Sequence, residues 1–149
     1  GREVGEADVE PLTWALAEIG RERSAARYLR DVDLHQTIAR AMAAWFETGF
    51  DLLLTPTMAI PPLPLGTLDD SGPDPMEAFR GAIPAGAFTA VFNATGQPAA
   101  SLPLYWSDAG LPIGVQLVAA YGREDLLVRV ASQLEAAAPW ADRLPPIHA

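Results

Sequence analysis

The sequence predicts an α/β fold. Two observations carry this. Hydrophobic spacing switches between the helical period and the strand pattern along one chain, and two strands late in the sequence flank a tight turn. The element order is helix, helix, strand, loop, helix, strand, strand, helix, with no internal repeat. So few strands cannot make a large self-sufficient sheet.

Each element has a local cause. Pro11 suits the first turn of a helix, where its missing N–H costs nothing, and Leu12, Ala15 and Ile19 follow at helical spacing before Gly20 ends it. Ser24 is an N-cap for a longer helix running to about Thr48. Leu34, Ile38, Ala41 and Trp45 form its stripe, and Tyr28, Val32, Met42 and Phe46 widen it, so much of this helix is expected to be covered. Gly49 fits a left-handed C′ position, with Phe50 folding back on Trp45.

Asp51 to Thr55 is short, apolar and stopped by Pro56, the pattern of a buried strand. Residues 56–75 hold six prolines and two glycines and read as an irregular loop. A weak helix is expected over Pro75 to Arg80, and a better one from about Ala85 that includes Phe88, Val91 and Phe92. Ala99 to Leu104 and Pro112 to Ala119 read as an antiparallel pair across the Ser-Asp-Ala-Gly turn. Glu124 to Ala138 is the last helix, with acids in its first turn, and a proline-rich extended tail follows.

Composition bounds the function. The 149 residues fit a polar edge, residues 1–8, and one domain over 9–149. There is no cysteine, which excludes disulfides, zinc–thiolate sites and thiol nucleophiles. A net charge of −9 repels phosphate backbones, so no nucleic-acid partner is expected. The sequence holds no apolar run of membrane-spanning length and no signal peptide, so a cytoplasmic protein without a membrane partner is expected. All ten basic residues are arginine. Without lysine, the chain alone supplies no lysine base, Schiff base or P-loop.

Candidate chemical groups mostly have plain structural readings. Ser24 is a cap, Ser71 and Ser107 sit in turns, Ser132 is on a helix, and Ser101 lies within a strand. None stands in a Gly-x-Ser-x-Gly elbow. His35 and His148 lack metal-ligand spacing, and Asp69, Asp70 and Asp74 lack the ladder of a calcium loop, so no metal or cofactor is expected. Arg21, Arg23, Arg27 and Arg30 read as a wetted face pairing with neighbouring acids. The glycines never form a phosphate fingerprint, which disfavours a nucleotide-binding domain, and the PPLPL run reads as a loop held at both ends.

The motifs FDLLLTPT, FNATGQPAASLPL, GLPIGVQLVA and DLLVRVASQLE, in that order, resemble the C-terminal part of the amidase signature family. VEPLTWALAE and PWADRLPPI also look like bacterial amidases, including those of the 6-aminohexanoate cyclic-dimer hydrolase type. The resemblance runs from about Val9 to Ile147 and implies a C-terminal fragment of the amidase signature fold, a few mixed strands packed with helices. It implies hydrolysis of carboxamide C–N bonds by a serine nucleophile, a bridging serine and a lysine base. The signature carrying the serines, and the lysine before it, have no counterpart in this chain, so the isolated polypeptide is expected to be inactive. By position, Phe88, Val91 and Phe92 would line the acyl pocket, with Thr57 and Met58 as further lining. Asn93 would fasten the turn through its side chain, and Gly96 would permit its geometry. Core and pocket linings share composition, so both readings of the phenylalanines stay open.

The implied partners are a small amide substrate and the remainder of an amidase chain. Uncovered edges and apolar faces would also favour self-association. The alternative is a non-enzymatic binding or assembly module reusing the same scaffold.

Overall fold

The computed structural model describes residues 2–145; the end of the proline-rich tail, with His148, lies outside the described residues. The chain forms helices α1 (Pro11–Arg21) and α2 (Ala25–Glu47), strand β1 (Leu52–Pro56), and helices α3 (Met76–Gly86) and α4 (Ala90–Thr95). Strands β2 (Ala99–Trp106) and β3 (Pro112–Ala119) follow, then helix α5 (Glu124–Ala137). The sheet has three strands in the order β1-β3-β2, antiparallel throughout.

The central strand organises the packing. Successive residues of a strand face opposite sides, and Val118 and Ala119 are both fully buried. Ala119 and Leu117 pack with Leu102 and Leu127, backed by Leu104, Val130 and Leu134, which seats α5 on one face. Val118 packs with Phe46 and Phe92, backed by Met42, Leu53 and Val91, which seats α2 and α4 on the other. The result is a helix–sheet–helix sandwich around one strand.

The helix boundaries follow their local chemistry. The Ser24 hydroxyl accepts a hydrogen bond from the Arg27 N–H at 3.2 Å, starting α2. Gly49 takes φ +108° just past its end, and the Trp45 and Phe50 rings stack at 4.7 Å with planes 8° apart. The acidic loop also closes helix ends. Asp70 accepts from the Leu12 N–H of α1 at 3.2 Å, and Asp74 accepts from the Met76 N–H of α3 at 2.9 Å. The first residues add one 3-10 turn, Glu6–Asp8, tied by Arg2 to Asp8 at 2.7 Å.

Four elements depart from expectation. The first half of α2 is not covered: Tyr28 and Leu29 are each 65% exposed, because only its last turns reach α4 and the sheet. Strand β1 lies at a sheet edge rather than inside, leaving Leu54 exposed. It also includes Pro56, tolerable at an edge where a missing N–H breaks no ladder. The helix expected to stop at Arg80 continues through Pro84 to Gly86, since a proline in the last turn disturbs only one closing bond. Helix α4 therefore starts later, at Ala90, and Phe88 falls in the turn before it.

Phe92 bridges α4 to the sheet, so Phe92→Ala is expected to lower stability by about 3–5 kcal/mol in urea unfolding. Asp74 offers a pH test. The Arg80 guanidinium and the Met76 N–H hold its carboxyl below the usual 3.8. The folded form thus binds this proton more weakly than the unfolded one. The tie is complete above pH 3.8 and is lost as pH falls through the depressed value. Titration followed by NMR should place the Asp74 midpoint below 3.8, and Arg80→Gln should raise it.

Candidate functional site

The face of the sheet that carries Val118 becomes polar towards the start of β3. Gln116 is buried and donates from Nε2 to Thr55 Oγ1 and to the Phe88 carbonyl, both at 2.9 Å. One side chain thus ties β1, β3 and the turn between α3 and α4. Two residues further along this face lies Gly114, whose carbonyl accepts from the Thr57 N–H at 3.1 Å. Above it the hydroxyls of Thr57 and Ser101 meet at 2.7 Å.

Gly114 is a steric requirement of that pair. A Cβ there would stand 2.6 Å from Ser101 Oγ and 2.7 Å from Thr57 Oγ1, inside contact distance. Thr57, Met58, Ile60, Pro62, Ser101 and Ile113 surround a cleft of about 110 Å³ with Gly114 at its floor. The loop that forms one wall is pinned to α3 by the Ala59 N–H, which donates to the Pro84 carbonyl at 3.1 Å.

The electrostatics of the cleft are simple. Among the described residues none of its lining is ionisable. The displaced titrations lie elsewhere: hydrogen bonds to arginines lower the carboxyls of Asp8, Asp74 and Asp125, and the Ser71 N–H lowers Asp69. The cleft can recognise hydrogen-bonding groups and apolar chains, but it holds no acid or base. Among the described residues, no group of three or more His, Cys, Asp or Glu could hold a metal ion.

A wider cleft, about 760 Å³, lies between the β2–β3 hairpin and the segment after α5. Its walls are apolar, including Trp106, Leu111 and Trp140, and among the described residues its one charged lining group is the Arg143 guanidinium, 4.0 Å above the Trp106 ring. That stacking braces the hairpin against the end of the chain. Size alone therefore does not favour it over the smaller, hydroxyl-bearing cleft.

The seven residues singled out from the sequence separate into two groups. Thr57 and Met58 line the small cleft, whereas Phe88 is not among its lining residues and is tied by its carbonyl to Gln116. Phe92 is buried between Phe46 and Val118, with Val91 packed beside it. Gly96 lies beside the Tyr121 ring, past the far end of β3 from Gly114, and Asn93 sits on α4. Gly96 takes φ +79° with its N–H on the Phe92 carbonyl at 2.9 Å, as its place in the turn requires. The Asn93 side chain does not fasten this turn. It lies exposed on the outer side of α4, and the buried Thr95 hydroxyl bonds the Val91 carbonyl at 2.9 Å instead. Gln97 beside it is buried with Oε1 unpartnered among the described residues.

Sequence reasoning missed Ser101, Gly114 and Gln116. A glycine and a glutamine at i and i+2 of an apolar strand were the available signal, since glycine in a strand marks close approach of another group.

The family model described as Amidase matches residues 8–128, and the chain belongs to the amidase family. It is 41% identical to a 6-aminohexanoate-cyclic-dimer hydrolase of Paenarthrobacter ureafaciens, over 97% of this chain and 30% of that protein. It is 36% identical to a putative amidase AmiC of Mycobacterium tuberculosis, over 95% of this chain and 29% of the relative. A solved 6-aminohexanoate cyclic dimer hydrolase superposes with a TM-score of 0.89 at 40% identity, covering 98% of this chain and 31% of that one. A bacterial aryl acylamidase of the amidase signature family superposes at 0.68 with 28% identity, covering 92% and 28%. The chain thus spans about 30% of the length of these relatives.

The hydroxyl pair fixes what Gly114 can be. Gly114→Ala is expected to part Thr57 from Ser101 and to lower stability by about 1–3 kcal/mol through overpacking. Thermal unfolding, with the Thr57 and Ser101 backbone signals followed by NMR, measures both effects.

Proposed function

We propose that this chain is the C-terminal, substrate-enclosing portion of an amidase that cleaves carboxamide C–N bonds of linear or cyclic amides with a serine nucleophile. The observation that carries the reading is 41% identity to a 6-aminohexanoate-cyclic-dimer hydrolase across nearly the whole chain, with a matching backbone. Alone, the chain is inactive in this proposal. It has no lysine to serve as base, and its small cleft has no ionisable group. Thr57, Met58 and Phe88 then face the substrate, Val91 and Phe92 pack behind them, Gly96 turns the chain into β2, and Asn93 stays on the exposed side of α4.

The reading includes the rest of an amidase chain as partner, a bacterial cytoplasmic setting, and no cofactor, nucleic acid or membrane. Relatives from Paenarthrobacter, Pseudomonas and Mycobacterium support the bacterial origin. Self-association of the isolated chain is supported by the exposed Tyr28, Leu29 and Leu34 of α2 and by the open edge at β1.

A chimera tests the reading. Replacing the matching segment of the Paenarthrobacter hydrolase by this chain should preserve cleavage of the cyclic dimer, with kcat/KM within about a hundredfold of the parent. The isolated chain should show no turnover of aryl or aliphatic amides. A well-folded but inactive chimera would favour a binding module, and turnover by the isolated chain that disappears in Ser101→Ala would overturn the inactivity.

A further inference from the structure

We propose that the Thr57–Ser101 hydroxyl pair, seated on Gly114, is a recognition site for the O=C–N–H edge of a primary or ring-constrained amide. The count of hydrogens points to this. Two hydroxyls carry two hydrogens and four lone pairs, and their mutual bond at 2.7 Å uses one of each. Among the described residues neither hydroxyl has another partner, so one donor and several acceptor sites remain. Both residues line the cleft.

The spacing selects the ligand. In an amide, standard C=O and C–N bond lengths put oxygen and nitrogen about 2.3 Å apart. That span lies close to the 2.7 Å between the two hydroxyl oxygens. One hydroxyl can donate to the amide oxygen while the other accepts from the amide N–H, closing a ring of three hydrogen bonds. This needs N–H and C=O on the same edge of the amide. Primary amides and small lactams have that arrangement, whereas open-chain secondary amides are trans and present the two groups on opposite edges.

The surroundings fit a small head group. The cleft holds about 110 Å³, roughly the share of four water molecules, and Met58, Ile60, Pro62 and Ile113 provide an apolar wall for a short chain. The described lining holds no ionisable group, so it offers no counter-charge to a carboxylate or an ammonium, whereas a neutral amide needs none. Assigning the bound amide to a substrate rests on the amidase reading; the binding preference stands on the pair alone.

The test is an NMR titration of the isotopically labelled chain with three neutral ligands: butyramide, 2-pyrrolidinone and N-methylacetamide. Butyramide and 2-pyrrolidinone should shift the Thr57, Ser101 and Gly114 signals saturably, binding at least threefold more tightly than N-methylacetamide. Equal affinities, or no saturable shift at these positions, overturn the proposal. Ser101→Ala should erase the preference, and Thr57→Ser, which keeps both hydroxyls, should retain it; a preference that survives in Ser101→Ala also overturns it. An inactive chimera with this preference intact would count against the amidase reading only.

Discussion

The fold depends on burying one strand from both sides. Val118 and Ala119 are neighbours in sequence, face opposite ways and are both inaccessible to water. Each therefore needs its own apolar cover: α5 supplies it on one side, and the last turns of α2 with α4 supply it on the other. Edge strands β1 and β2 are held in register by this central strand, which also holds the loop after Pro56 through the Gly114 carbonyl and the turn before α4 through Gln116. Once β3 is fixed, the positions of Thr57, Ser101 and Phe88 follow.

The same strand changes character along its length. At its end it is entirely apolar and buried on both faces; at Gln116 and Gly114 it opens a polar patch on the face that carries Val118. Gln116 donates to two oxygens from different elements, and Gly114 contributes by having no side chain. The outcome is a hydroxyl pair in a cleft without charge. Such a surface suits recognition rather than proton transfer.

The exposed apolar residues fit the same picture. The first half of α2 keeps Tyr28, Leu29 and Leu34 in contact with water, and Gln97 keeps a buried oxygen without a donor among the described residues. Relatives about three times as long have further chain with which to answer both.

The sequence by itself determined the secondary elements, because their causes are local. Ser24 caps α2, Gly49 turns the chain and lets Phe50 reach Trp45, and Gly96 takes its left-handed turn. Thr57 and Met58 stand just beyond a strand in the sequence, and both line the small cleft. Tertiary structure alone decided that α2 is half bare, that β1 is an edge, and that Pro84 stays within α3. It also decided that Phe92 is core while Ser101 is cleft. Periodicity states which face of an element is apolar, but not whether another element arrives to cover it. A hydroxyl 44 positions from its partner becomes a pair only when two strands flank the same glycine.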